Sequence, residues 1–532
     1  MKQDRFEFVI REIFVRSITT ELINSFCYEA EESFDYFLND EKVLSSSLNV
    51  NTIDGLCPDT GYTLSVYEHE SGELIGKEVF RTSFESVLLN VRSFGAGGDG
   101  RTDDTAFIQA CINACPKNGT VYLESGTYLS GPVFLKSGIN IWIPEGSVIL
   151  GIPDRSGYPI LPGMTYSTDE TDEYNLGTWE GNPLDCYASL ITGIDVSETD
   201  IFGRGVIDAN AVSSDWWRDP KKKRGAWRPR TVFLERCRNI RIQGLSVRNS
   251  PSWTIHPYYC EDLAFLSLRI SNPPDSPNTD GLNPESCRNV LILGLFISVG
   301  DDCIAIKSGK YYMALKHHKE TENIEIRNCL FKKGHGSVTM GSECAGGIKK
   351  VQVKNCIFDG TDRGLRIKTR RGRGKRSVIE DIVFENIRMR GVKMPFTINM
   401  FYFCDPDGHS SYCQDKNPVR ADDMTPQIAS VSVSHVICTG VDICLLCAYG
   451  LPEKKIGLIS LRDIDASFKQ EKDRKPELAL MMDDLDRMSG KGIFVRNASR
   501  LILENMILRD TDDKEIDAED VDGIDAHNVE FV

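Results

Sequence analysis

Three acids fall within a short stretch that reads as strand edge: Asp280 in Asn278-Thr279-Asp280-Gly281, and Asp301 with Asp302 in Gly300-Asp-Asp-Cys-Ile-Ala-Ile. The glycine after Asp280 lets the backbone turn, and the Asp301/Asp302 pair runs straight into a β-prone apolar segment. The carboxyls therefore belong at the ends of strands, where a rigid scaffold presents chemistry. Three close carboxyls resist ionising together, so one of them is expected to keep a proton at mildly acidic pH. That is the equipment of general acid and base catalysis. Further on stand His335 between two glycines and the alternating pair Arg366 and Lys368, which share one face of a strand and suit a carboxylate ligand, the arginine as a bidentate fork.

These residues are spread over about ninety positions, and a repeat brings them together. Ile240-Arg-Ile, Leu263-Ala-Phe, Val290-Leu-Ile, Ile324-Glu-Ile, Val351-Gln-Val and Ile382-Val-Phe open similar units, often after Asn or Asp (Asn239, Asp262, Asn289, Asn323, Asp381), at spacings of roughly 23 to 34 residues. Short β-branched strands with turns and no helices between them predict one coil of a right-handed parallel β-helix per unit, since a doubly wound sheet needs a helix in each crossover. Ile139-Asn-Ile and Ile201-Phe-Gly before the repeat, and 456–464 and 501–507 after it, extend the stack. Asp301 follows Val290, and His335 follows Ile324, by the same eleven positions, which places them side by side on neighbouring coils, ~4.8 Å apart. Arg366 and Lys368 fall one coil further on. An ideal strand would turn Asp301 and Asp302 to opposite faces, so the cluster requires a bend at Gly300-Asp301.

With these motifs in order, Asn278-Thr279-Asp280, Gly300-Asp301-Asp302, Gly334-His335-Gly336 and Arg366-Ile367-Lys368, the chain resembles glycoside hydrolase family 28, the polygalacturonases, over about residues 89 to 530. Ile207-Asp208-Ala209-Asn210 departs from the family, where a glycine often follows Ile-Asp. The resemblance implies hydrolysis of α-1,4-galacturonosidic bonds with inversion. In that scheme Asp301 is the general acid, Asp280 and Asp302 orient and deprotonate the attacking water, and His335 tunes Asp301. Arg366 and Lys368 bind the uronic carboxylate, Asn278 supports the site, and no metal or other cofactor is needed. The residue types fit: a glycosidic bond breaks with an acid at the leaving oxygen and a base or nucleophile at the sugar. His335 alone would read as a core histidine, but its flanking glycines and the acid expected one coil away favour the site. Two other readings stay open on the same architecture: a pectate lyase using Ca²⁺ and a basic residue for β-elimination, and a silent carbohydrate-binding β-helix.

The rest of the chain bounds these readings. A length of 532 residues with 41% apolar residues suits a large domain plus a small one. Residues 1–88 alternate short β-prone runs with turns, predicting a small sandwich ahead of a catalytic domain over 89–532. In it Leu56-Cys-Pro-Asp-Thr-Gly-Tyr62 resembles the tyrosine corner of fibronectin type III modules. A net charge of −16 argues against nucleic acid as a partner. No stretch is apolar enough for a membrane span, and the acids among the first residues leave no secretory apolar core, so a cytoplasmic location is expected. The expected partner is a galacturonate-containing oligosaccharide; the oligomeric state stays open. Such a location points to exo action on short chains, and the insertions 153–187, 311–321 and 401–426 are expected to wall off one end of the cleft.

Several motifs compete with this reading. Gly95-Ala-Gly-Gly-Asp-Gly100 satisfies a dinucleotide pattern, but only one helix, 105–115, follows it, and that helix is expected to cover the open end of a sheet. The seventeen cysteines read as buried thiols, Cys444-Leu-Leu-Cys447 as a buried strand, and His317-His318 as solvent-exposed. Trp216, Trp217 and Trp227 suit either sugar stacking or packing. The basic run 363–376 meets no acid of its own, and Arg371 and Arg373 suit either further sugars or solvent. The run Lys221 to Arg224 with Arg228 and Arg230 suits a solvated face or an acidic ligand.

Overall fold

The computed structural model describes residues 6–166 and 173–532; residues 167–172, part of the first expected insertion, and the first five residues lie outside the described residues. At the N-terminus Glu7–Ile13, Ser17–Ile23 and Val50–Asp54 form one antiparallel sheet, and Glu41–Leu48, Glu29–Leu38, Gly61–Glu68 and Leu74–Arg81 the other. Alternate residues of the facing strands, Ile18, Phe34, Tyr36, Leu64 and Val66, are fully buried between the sheets. The Tyr62 hydroxyl accepts a 2.9 Å hydrogen bond from the Cys57 amide, the back-bond expected of a tyrosine corner.

From Leu88–Asn90 onward the pairing turns parallel, and the predicted units stack as coils of a parallel β-helix. Ile240 pairs with Leu263, Leu263 with Val290, Val290 with Ile324, Ile324 with Val351 and Val351 with Ile382. Val431, Ile459, Leu501 and Ile524 continue the line. The first six of these side chains are 0–3% exposed and form the apolar column of the interior. The residues just before them explain the turns: Asn239, Asp262, Asn289, Asn323 and Asp381 all adopt left-handed backbone with φ between 52° and 60°. Asn and Asp tolerate that conformation at little cost, which is why they recur there.

The helix Thr105–Ala114 buries Ile108, Cys111 and Ile112 in the same core as Val121 and Leu123 and closes the first coil. The glycine loop before it has its amides partnered within the chain, the Asp104 carboxylate accepting from Gly97 and Gly98 at 2.6 and 3.0 Å. The two folded parts meet along a polar seam. Glu21, 2% exposed, is held by Arg11, Arg327 and Asn328, and Asn49 reaches the Asn328 side chain at 3.0 Å.

All seventeen cysteines are free thiols, and all but Cys57 and Cys404 are buried. Cys444 and Cys447 lie in the buried strand Cys444–Tyr449. No helix among the described residues is long and apolar enough to cross a membrane.

Candidate active site

The chemistry sits on one sheet face, where Ile255, Leu282, Ile304, Val338 and Leu365 pair in succession across five coils. The backbone bends from Gly300 to Cys303 before the strand Ile304–Ile306 begins. Gly300 is required there, since a Cβ would lie 2.4 Å from the Ser276 carbonyl. The bend is capped by Asp301 itself, whose Oδ1 accepts from the Asp302 amide at 2.9 Å. It turns both acids to the same side and brings carboxylate oxygens of Asp280, Asp301 and Asp302 within 4.8 Å of one another.

The three carboxyls differ in surroundings. Asp302 is 1% exposed, with Oδ1 accepting from Arg366 Nη1 at 3.0 Å and Oδ2 from Lys368 Nζ at 2.9 Å. Burial alone would push it up, but Lys368 and Arg366 outweigh that and hold it well below the usual carboxylate range. Asp280, 3% exposed, has Asn283 Nδ2 at 2.8 Å and Lys307 Nζ at 4.0 Å from its Oδ2. Burial, with Asp301 and Asp302 nearby and Lys307 opposing, pushes it up to about 8. Of the buried pair, Asp280 is thus the carboxyl whose surroundings favour the protonated form, and Asp302 the one held as the anion. The Asp301 side chain is 22% exposed and receives His335 Nδ1 at 3.2 Å. That hydrogen bond raises the histidine above its ordinary value, although its side chain is 54% exposed.

Asn278 does not face the cluster's centre. It adopts φ 56°, and its Oδ1 accepts from Arg228 Nη2 at 2.6 Å. The three carboxyls each offer an oxygen to a common point, but a divalent cation there would face the charges of Arg366 and Lys368 already bonded to Asp302.

Several site groups escaped the sequence reading. Strand alternation in Ile304-Ala-Ile-Lys turns Lys307 outward in the same row as Gly341 and Lys368. Its Nζ donates to Glu343 Oε2 at 2.8 Å and lies 4.4 Å from the centre of the Trp253 ring. Met481, on a segment crossing the face from residue 477 to 488, accepts from Arg366 through its sulfur, and its carbonyl accepts from Asn399. Lys307 was legible from the alternation; Met481 carries no local signal.

Other expectations need correction. The basic run does find acids, from distant segments: Arg370 and Arg373 bond Asp405, Arg370 also Asp407, and Arg371 is buried against Glu453. Arg371 and Arg373 are therefore buried, not solvated. Arg228 and Arg230 are buried too, packed on the Trp179 ring, whereas Arg224 pairs with Asp215. His317 is half-buried and bonded to Glu173, whereas His318 is exposed as expected, with its ring bonded to the Gly346 carbonyl. Trp216 is fully buried against Tyr158 and Tyr187, Trp217 donates to the Ser250 carbonyl, and Trp227 stacks on Trp179 at 4.9 Å.

The three expected insertions are knitted together beside the cluster. The Lys310 amide donates to the Gly181 carbonyl at 2.9 Å, its ammonium pairs with Asp405 at 2.9 Å, and Tyr312 reaches Glu173 at 2.8 Å.

The profile of Glycosyl hydrolases family 28 matches residues 137–458, more than half of the chain. The chain belongs to glycosyl hydrolases family 28. A second profile, Rhamnogalacturonase A/epimerase, pectate lyase-like, matches residues 88–142. A probable polygalacturonase of Vitis vinifera is 31% identical over 324 residues, 59% of this chain and 63% of that protein. The chain thus spans just under two thirds of the grape relative's length. An endo-polygalacturonase of Pectobacterium carotovorum subsp. carotovorum is 29% identical over 344 residues, 62% of this chain and 79% of its own. Among solved structures, the family 28 exopolygalacturonase of Yersinia enterocolitica superposes with a TM-score of 0.68 at 18% identity, covering 98% of each chain. The likeness in fold thus extends through the N-terminal sandwich.

Proposed function

We propose that this family 28 chain hydrolyses α-1,4-galacturonosidic bonds of galacturonides, with inversion and from a chain end. The observation that carries the reading is the unequal exposure of the three carboxyls. Asp280 and Asp302 are 3% and 1% exposed, and both oxygens of Asp302 are bonded to cations. Neither is free to attack a sugar directly, so both act through a water held between them. Asp301 alone opens to solvent, where a leaving oxygen can take its proton. The oxygens lie closer than the separation usual for inverting enzymes; inversion here rests on the inaccessibility of the two inner carboxyls. Arg366 and Lys368, beyond balancing Asp302, supply positive charge to the substrate carboxylate. Product NMR on a short oligogalacturonide tests this directly: the inverted anomer is expected at early times, and the retained anomer would require a nucleophilic carboxylate. Saturated products formed in the presence of a chelator would separate hydrolysis from β-elimination.

The exo reading rests on this chain's own insertions, since the Pectobacterium relative is named an endo enzyme. Lys310 and Asp405 tie all three insertions into one wall next to the carboxyls, which favours a pocket over an open groove. Digestion of a defined hexamer decides it: one fixed short product with the complementary chain is expected, and mixed internal fragments would mean an open cleft. Action inside the cell is part of the same proposal, supported by seventeen unpaired thiols. Cell fractionation that recovers the activity outside the cytoplasm would refute it.

A further inference from the structure

Lys307 is a lysine that folding should avoid burying: its side chain is 4% exposed and lies beside Asp280. Glu343, bonded at 2.8 Å, keeps it charged, and the Trp253 ring, 4.4 Å away, backs it. Its ammonium reaches within 4.0 Å of Asp280 Oδ2.

The other charged groups around Asp280 are committed elsewhere. Arg366 and Lys368 bond Asp302, and His335 bonds Asp301. Arg228 spends its terminal nitrogens on two carbonyls and Asn278, Arg230 on Cys186 and the carbonyls of Arg228 and Thr178, and Lys310 pairs with Asp405. His256 and Glu285 form a fully buried pair at 2.9 Å. Burial drives the histidine well below its ordinary value and the glutamic acid up to about 8, so both are neutral at mildly acidic pH. Glu180 is pushed up by burial and by Glu343. What remains to act on Asp280 from behind is Lys307, tempered by Glu343.

We propose that Lys307, fixed by Glu343, is a positioning residue of the reaction: it holds Asp280 as the anion and so keeps the cluster's shared proton on Asp301, where the leaving group can take it. This rests on the acid and base roles proposed above. Burial and the two neighbouring acids favour the proton on Asp280, whereas the productive arrangement needs it on Asp301. A cation behind Asp280 favours that arrangement, and an anion on the cation weakens the bias. The two residues therefore act with opposite sign.

The test is the pH profile of kcat/KM on a defined trigalacturonate. Lys307→Met removes positive charge, so anionic forms of the cluster become harder to reach. Its bell should move to higher pH by about one unit or more, with a peak at least about tenfold lower. Glu343→Gln should move the bell to lower pH, and the double variant should return it close to the wild-type position. A purely structural role would lower the bell without moving it. Should Lys307→Met fail to fold, the acid shift of Glu343→Gln carries the test alone. Bells that stay in place, or that move in the same direction, overturn the proposal. Asp280→Asn separates this from failure of the underlying reading: full activity in that variant removes the base role itself, whereas an inactive Asp280→Asn with unmoved bells removes only the part played by Lys307.

Discussion

Two buried carboxylates in this molecule look alike and do different work. Glu21, at the seam between sandwich and β-helix, is 2% exposed and bonded by Arg327 through both oxygens, by Arg11 and by Asn328. Asp302, on the sheet face, is 1% exposed and held by one arginine and one lysine. Each offsets the large desolvation cost of a buried charge with paired cations. The difference lies in the neighbours. Around Glu21 the nearby side chains are occupied with one another, and the ion cluster closes on itself as a latch. Asp302 adjoins two more carboxyls, one buried and pushed up in pKa, one partly open to solvent. Charge balance by itself therefore marks no active site; an unresolved surplus of acid beside a balanced one does.

The largest test of that distinction is Asp301→Asn, which keeps the shape of the open carboxyl and removes its proton. kcat should fall by about 10³-fold or more while substrate still binds. Activity within tenfold of wild type would sink the assignment. Glu21→Ala should instead cost about 3–5 kcal/mol of stability by leaving Arg327 buried without its partner. A denaturant midpoint shift with unchanged kcat is the expected pattern, and a loss of kcat at full folding would mean that the seam is coupled to the chemistry.

Arg366 sharpens the comparison, because its charge balances Asp302 and, in the proposed function, also meets the substrate. Arg366→Ala should weaken galacturonide binding by about 2–4 kcal/mol, and methyl-esterified substrate should already be poor for the wild type. Equal turnover of esterified and free substrate would contradict carboxylate recognition.

How much of this was legible beforehand follows from where each determinant sits. The coil register was readable because each apolar strand opener follows a residue in left-handed backbone, and Asn or Asp at Asn239, Asp262, Asn289 and Asn323 marks that turn locally. The acids, His335, Arg366 and Lys368 converged as the spacing required. The inequality of the carboxyls was not readable, since it depends on the burial of Asp280 and on the distance to Lys307, both set by packing between coils. The basic run misled for the same reason. Its partners Asp405, Asp407 and Glu453 arrive on loops far along the chain, and net charge along a segment says nothing about what folds over it.

The smallest expected effect concerns His335, which distinguishes a tuned acid from a merely placed one. Its hydrogen bond to Asp301 raises the histidine above its ordinary value. A raised histidine gives an interaction that is fully present below about pH 6.5, the unperturbed value, and is lost as pH rises through the higher folded value. His335→Gln lacks the titrating charge, so it should lower kcat by about tenfold at pH 5, as expected for losing one hydrogen bond from a charged group. The gap to wild type should then narrow on the alkaline side of pH 6.5. A deficit of constant size across that range would mean that His335 only fills space beside Asp301, and the acid would then owe its behaviour to the other two carboxyls alone.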